Sequence, residues 1–192
     1  MQNREEKRNL ETIPVGSLGM IYPAHYTVID VKDNDIDFRN SKQILTNLYR
    51  KYPNITWNFG CGFLNNEEED GYIYIYGYTS EFLDLEHGNR LRVARVKKEN
   101  FLDLNEWRFF DGKEFVKEME KASPMLDHVS CELSVHKDGN KYIAVFTYDV
   151  QSRYVAYALS DTPYGPFEET RIAYVCKENL CDHMYLYIAK AH

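Results

Sequence analysis

The sequence has few cysteines, and they lack the spacings that cysteine-based sites require. Cys61, Cys131, Cys176 and Cys181 are the only four among 192 residues, and no two of them form a CxxC pair. All but Cys181 lie in or beside apolar runs typical of strands. We therefore predict buried or incidental thiols rather than a zinc site or a disulfide framework.

The chain also lacks basic clusters and long apolar runs. Its formal net charge is −7, which argues against a nucleic-acid partner. No stretch approaches the roughly 18 apolar residues of a membrane span. The start, "MQNREEKRNLETIPVG", has no apolar segment of a signal peptide. The sequence as written predicts a cytoplasmic protein, or a secreted one if a signal peptide has been removed.

Aromatic residues are abundant, with 16 Tyr and 10 Phe. They suit β-strands, carbohydrate-contacting surfaces or both. One segment predicts a helix, "SKQILTNLYRKY" at 41–52, because its apolar residues recur near a 3.6-residue period and Pro53 follows. After Asn54 the pattern changes to short strands separated by turns.

The strands occur in two similar sets. "ITWNFGCGFLNN", "YIYIYG", "LRVARV" and "WRFFDG" are followed by "SCELSVH", "KYIAVFTYDV", "YVAYALSDT" and "FEETRIAYV", and equivalent positions in the last three strands of each set are 60 to 70 residues apart. A repeated unit of four antiparallel strands is the signature of propeller blades. We predict an all-β fold: an N-terminal segment over 1–54 with a short helix and a partial blade, then blades over about 55–120 and 128–177, and a third beginning near 184. The alternative is an open β-sandwich or meander.

The turn "SDTPYGPF" at 160–167 resembles the turn between the third and fourth strands in five-bladed propellers of glycoside hydrolase family 43 and its relatives. With "WNFG", "YIYIYG" and the terminal "AKAH", the sequence from about Trp57 to His192 looks closest to bacterial propeller domains of the DUF4185 type. The resemblance implies an incomplete five-bladed propeller, with about two full blades plus fragments, and a carbohydrate ligand.

Glu132 precedes "HKDGNKY", which resembles the segment that carries the general acid of family 43 enzymes. The resemblance implies that Glu132 protonates a glycosidic oxygen, for which a raised pKa would be needed. Leu133 and Ser134 stand where the family pattern has Gly-Pro. No second carboxyl group is recognisable, since Asp30 and Asp37 fit better as turn or surface acids. A structural or sugar-binding role for Glu132 is the alternative.

Five further residues are candidate substrate-binding residues. Trp57 and Tyr148 present aromatic rings that could stack on a sugar, with core packing as the alternative for Trp57. Asn58 and Asp149 offer hydrogen-bonding groups, although Asp149 could equally cap a turn. The resemblance places His192 beneath the site, where a relative's His helps to hold a metal or a water. His128 and His136 flank Glu132 and are expected to be solvated turn residues.

Two functions remain open at this point. The first is a glycoside hydrolase acting on a poly- or oligosaccharide, with Glu132 as the acid; the second is a non-catalytic glycan-binding propeller module or a truncated fragment of a hydrolase. No cofactor or metal is predicted, because the run "EEEDG" lacks the ligand spacing of a calcium loop and nothing supports a calcium ion in a central channel. Exposed strand edges favour homo-oligomers.

Overall fold

A computed structural model describes residues 25–32, 35–149, 152–177 and 189–191. In these ranges the chain forms twelve strands, all in antiparallel sheets, with one short α-helix and three 3-10 helices. The all-β prediction is confirmed. None of the helices described is long and apolar enough to cross a membrane. The predicted third blade near residue 184 and the candidate residue His192 lie outside the described residues.

The chain divides into two compact units, the first ending at Asn47 and the second beginning at Leu48. The first unit contains a hairpin of β1 (His25–Lys32) and β2 (Asp35–Leu45). Asp30 and Asp37 lie opposite each other in its register, so both belong to strands and not to turns.

The helix predicted over 41–52 is wrong. β2 extends to Leu45, and the next strand is β3 (Tyr49–Lys51). The Phe59 N–H donates to the Leu48 carbonyl at 3.0 Å, which ties this segment to the next strand. Helical spacing is a weak local preference, and hydrogen bonding to neighbouring strands overrides it.

The second unit begins with a six-stranded sheet whose strands are neighbours in sequence order, from β3 to β8. The run "EEED" forms a one-turn helix, α1 (Glu67–Asp70), rather than an open turn. Two 3-10 helices, Lys98–Asn100 and Leu104–Glu106, precede β7, and a third, Met119–Lys121, follows β8. The remaining strands are β4 (Ile55–Asn66), β5 (Tyr72–Glu81), β6 (Asn89–Val96), β7 (Arg108–Phe110) and β8 (Phe115–Val116).

A four-stranded sheet follows, again with sequential neighbours. Its strands are β9 (Leu133–Asp138), β10 (Lys141–Thr147), β11 (Tyr154–Ser160) and β12 (Arg171–Val175). β12 begins at Arg171 and not at Phe167 as the sequence predicts. The intervening residues remain close to β11, since the Glu168 N–H donates to the Leu159 carbonyl at 2.7 Å.

The turn between β11 and β12 joins the two sheets. Tyr164 contacts three aromatic rings of the six-stranded sheet, with centroid distances of 4.8 Å to Phe110, 5.3 Å to Phe115 and 6.1 Å to Tyr74. The Tyr76 hydroxyl donates to the Pro163 carbonyl at 2.7 Å. The "SDTPYGPF" turn therefore has a packing role in this fold.

The core of the second unit lies between the two sheets. Tyr74, Tyr76, Leu91 and Val93 on one sheet pack with inward-facing residues of the other, which are Leu133, Val135, Tyr142, Ala144, Phe146, Ala156 and Ala158. β4 and β9 come especially close, because a Cβ added at Gly62 would lie 2.8 Å from the Leu133 carbonyl oxygen. The first strand of the four-stranded sheet is thereby fixed against β4.

Candidate functional site

An irregularity in β4 positions the first group of candidate residues. The pairing of β4 with β5 shifts after Phe59, and Gly60 and Cys61 have no residue opposite them. Gly60 has a φ of 101°, a left-handed conformation that suits glycine at such a bulge. A Cβ added at the neighbouring Gly77 would lie 2.3 Å from the Asn58 carbonyl oxygen, so a side chain there would displace the strand that carries Asn58 and Cys61.

Polar side chains gather around this bulge. The Asn58 Nδ2 donates to the Tyr78 hydroxyl at 3.0 Å, and the Cys61 thiol donates to the Asn58 carbonyl at 3.8 Å. The Asn89 Nδ2 donates to the Cys131 sulfur at 3.8 Å. We call this group the β4–β9 cluster; its members are Asn58, Cys61, Tyr78, Asn89, Cys131, Glu132 and Lys190.

Electrostatic interactions link the members of the cluster to one another. The pKa of the Cys61 thiol is raised to about 12, mainly by burial and to a smaller extent by Cys131 and Glu132, while Lys190 acts in the opposite direction. Burial also raises the pKa of the Tyr78 hydroxyl, with contributions from Cys131 and Cys61. Both groups are therefore neutral donors near pH 7, beside one carboxylate and one ammonium group.

Glu132 lies directly before β9 and not within it. Its Oε2 is 3.3 Å from the Lys190 Nζ, and 44% of its side chain is exposed. The Ser130 hydroxyl donates to its backbone carbonyl. In the described part of the chain, these are the polar contacts of Glu132, and neither partner is a carboxyl group. The pairing of Glu132 with a second carboxylate stays a prediction.

Trp57 lies in the core and not in the cluster. Its side chain is 5% exposed, and the Arg92 guanidinium sits 5.2 Å from the ring centroid. Arg92 is held in turn by Thr79 Oγ1, at 3.0 Å from Nε, and by the Ala122 carbonyl, at 2.8 Å from Nη1. Because Trp57 alternates with Asn58 along β4, the two side chains point to opposite faces. The core-packing alternative fits this ring, which offers little surface to a sugar.

Tyr148 and Asp149 form a second group of candidate residues, together with His128. The His128 Nδ1–H donates to Asp149 Oδ1 at 3.0 Å, and the Tyr148 ring stacks on the imidazole with centroids 4.8 Å apart. His128 and Asp149 have left-handed backbones, with φ of 59° and 55°. His128 and Tyr148 line a cavity of about 490 Å³. His128 is therefore part of an ordered arrangement, and not the solvated turn residue expected from the sequence.

The structure thus divides the predicted residues between two places. Asn58 and Glu132 belong to the β4–β9 cluster, whereas Tyr148 lines the cavity and Asp149 accepts a hydrogen bond from His128 in the cavity wall. Sequence reasoning missed Tyr78, Lys190 and the role of His128. The alternation in "YIYIYGYTS" could have placed Tyr78 on β5. No local pattern could have indicated the contacts of Lys190 and His128, because their partners lie far away in the chain. Within the described ranges, no three His, Cys, Asp or Glu side chains form a group that could hold a metal ion.

Comparisons with known proteins give one family and a distant structural match. No curated protein matches the chain. A solved structure from Bacteroides ovatus ATCC 8483, described as a "putative hydrolase", matches with 21% identity and a TM-score of 0.46, over 63% of this chain and 30% of that one. The chain thus spans less than a third of that protein's length.

The family comparison differs from the resemblance drawn from the sequence. The matching model is a domain of unknown function, DUF5005, and not the DUF4185 type. It matches residues 17–192, which is nearly the whole chain. The chain therefore belongs to the DUF5005 family.

Proposed function

We propose that this chain is part of a carbohydrate-active β-propeller and binds an oligosaccharide at the β4–β9 cluster. The arrangement of the two sheets supports the propeller. The meanders β4–β7 and β9–β12 have the same sequential strand order, and they pack face to face through one core. Their first strands, β4 and β9, lie in contact, as the inner strands of adjacent blades do. A five-bladed closure would need further blades.

The observation that carries the binding proposal is the set of groups in the cluster. An amide, a phenol, a carboxylate and an ammonium group meet where the two first strands are closest. Sugar hydroxyls both donate and accept hydrogen bonds, and a mixed set of fixed donors and acceptors is what such a ligand requires. Glu132 and Lys190 are partly exposed, so a ligand can reach them.

Glycoside hydrolysis with Glu132 as the general acid is the second candidate function. The partly exposed carboxyl group in the cluster favours it. Hydrolysis normally uses two carboxyl groups about 5 to 9 Å apart, one of which donates a proton. Glu132, however, is held in an ion pair with Lys190, and an ion pair uses the ionised form of a carboxyl group. We therefore place binding ahead of catalysis.

The test compares Glu132→Gln with the unmodified chain. Glu118→Gln is the matched control, because Glu118 forms a comparable exposed ion pair, 3.3 Å from Lys121. Binding of plant and host glycans is measured by calorimetry, and hydrolysis by the release of reducing sugar. We expect Glu132→Gln to weaken glycan binding about tenfold, since a hydrogen bond to a charged group contributes about 1.5 kcal/mol or more.

The outcomes separate the two functions. Binding that weakens in Glu132→Gln without any sugar release supports a binding module. Sugar release that disappears in Glu132→Gln and persists in Glu118→Gln establishes the hydrolase instead. Equal glycan affinity in all three proteins would contradict a role for the β4–β9 cluster.

A further inference from the structure

The cavity beside His128 has the size and lining of a ligand site. Its volume of about 490 Å³ falls within the roughly 300 to 1,000 Å³ of small-molecule sites. Apolar and polar residues share its lining. They are Pro124, Met125, Leu126, Asp127, His128, Tyr148, Phe167, Glu168, Glu169 and Thr170. This lining contains no lysine or arginine, and its carboxylates can only accept hydrogen bonds.

The His128 side chain is held in one orientation at the edge of this cavity. Because a carboxylate accepts only, the hydrogen bond to Asp149 places the imidazole proton on Nδ1 and leaves Nε2 to accept a hydrogen bond in the neutral ring. The Asp149 N–H donates to the His128 carbonyl at 2.8 Å, and the His128 N–H donates to the His87 carbonyl at 2.8 Å. Two separate segments, at His87 and at Tyr148–Asp149, therefore fix this histidine.

Gly88 leaves the space that this arrangement needs. A Cβ at Gly88 would lie 2.7 Å from Asp149 Oδ1 and 3.2 Å from His128 Nδ1. Gly88 also has a φ of 59°, which favours glycine. The three nearest atoms that a side chain at this position would meet all belong to His128 and Asp149, whereas the next residue along the chain, Asn89, belongs to the β4–β9 cluster.

The cavity and the β4–β9 cluster lie at the same end of the four-stranded sheet. Leu133, which follows Glu132, pairs with Phe146, so the start of β9 and the end of β10 are adjacent. Tyr148 follows β10 directly. His128 and Glu132 are four residues apart, which limits the distance between their Cα atoms to roughly 14 Å. One extended ligand of a few sugar rings could contact both places.

We propose that the cavity is a second sugar subsite, which holds a neutral unit of an oligosaccharide whose other end lies at the β4–β9 cluster. The proposal rests on the proposed function, since it assumes a carbohydrate ligand. Neutral sugars supply many hydroxyl donors for the carboxylates and for His128 Nε2, and their apolar faces suit Phe167 and Tyr148. Asp127 is paired with Arg90, and Glu168 with Lys141 and Arg171. Among the described residues, Glu169 is the carboxylate of the lining without an ion pair, and its negative charge disfavours anionic sugars.

The test measures affinity against ligand length. Calorimetry uses neutral gluco-, xylo- and arabino-oligosaccharides of about two to six units, and oligogalacturonates of the same lengths as the anionic series. The cavity variants are Glu169→Gln, whose carboxylate is exposed, and Gly88→Ala. Glu132→Gln perturbs the cluster, and Glu118→Gln is the control. Circular dichroism checks that each variant is folded.

We expect longer neutral ligands to bind the unmodified chain about tenfold more tightly than disaccharides, and the cavity variants to lose this gain while keeping their affinity for disaccharides. A gain with length that persists in both cavity variants, but disappears in Glu132→Gln, would overturn the second subsite and leave the proposed function intact. Tighter binding of oligogalacturonates would overturn the neutral assignment. Binding that is lost only in the cavity variants would support a sugar site in the cavity and contradict a sugar site at the β4–β9 cluster. No binding by any series would overturn both proposals.

Discussion

The substitution Gly77→Ala tests whether the close approach of β4 and β5 supports the fold beside the β4–β9 cluster. The added Cβ would lie 2.3 Å from the Asn58 carbonyl oxygen and 2.8 Å from the Phe59 Cα. Both neighbours are backbone atoms, so no side-chain rotation relieves the contact. Overpacking in a core costs typically 1 to 3 kcal/mol. Alanine also restricts the unfolded chain more than glycine does, and this effect stabilises the fold by about 0.4 to 1 kcal/mol.

A contact of 2.3 Å with a backbone atom places the overpacking cost at the upper end of the range of about 1 to 3 kcal/mol. We therefore expect Gly77→Ala to lower the free energy of unfolding by about 2 kcal/mol after the entropic gain, with a fall in Tm of roughly 4 to 8 °C. Urea unfolding followed by circular dichroism measures the first quantity. The control is Gly139→Ala, where nothing lies within 4 Å of the added Cβ and only the positive φ of 58° is unfavourable. That control is expected to cost about 1 kcal/mol. A smaller loss for Gly77→Ala than for Gly139→Ala would refute the reasoning.

Two further predictions concern Cys61 and Tyr164. The raised pKa of Cys61 keeps its thiol neutral in the fold, while the unfolded thiol ionises from about pH 9. The free energy of unfolding should therefore be fully maintained below pH 9 and fall by up to about 1.4 kcal/mol per unit above it, and urea titrations from pH 8 to 10 should show a shallower decline in Cys61→Ala. Tyr164→Ala should cost about 2 to 3 kcal/mol by leaving the aromatic rings around it uncovered, whereas Tyr164→Phe should cost under about 1 kcal/mol. Equal Tm values for the two Tyr164 variants would contradict a packing role for the turn.

The sequence predicts the strands better than it predicts the site, because alternation is local and the contacts of the site are not. "YIYIYGYTS" and "YVAYALS" alternate cleanly, and they form β5 and β11. The segment at 41–52 has helical spacing, but it is used in strands because neighbouring strands offer hydrogen bonds that the sequence does not reveal. The Glu132–Lys190 pair joins residues 58 positions apart, and no local pattern indicates such a contact.

The turn "SDTPYGPF" shows how much a resemblance in sequence predicts. Ser160, Pro163 and Gly165 favour turns, and they correctly predict that β11 ends there. The structure gives the turn a packing role through Tyr164 and no contact with the β4–β9 cluster among its described interactions. The resemblance of this turn to one in an enzyme family is therefore accounted for by residues that favour a turn and by the packing of Tyr164.

The backbone at His128 and Asp149 is difficult to explain by stability alone. His128 adopts a left-handed conformation that costs about 1 kcal/mol in a residue with a Cβ, and Asp149 adopts it at a lower cost because a short polar side chain can hydrogen-bond locally. Their side-chain pair is 23% and 49% exposed, and exposed pairs contribute only about 0.2 to 1 kcal/mol. Glycine at both positions would keep the backbone hydrogen bonds without the strain. The sequence instead places a histidine and its carboxylate partner there, at the edge of a cavity, and unfavourable conformations of this kind concentrate at binding sites. The placement of this pair at the edge of the cavity therefore supports the proposed ligand subsite, in which His128 would contact the ligand.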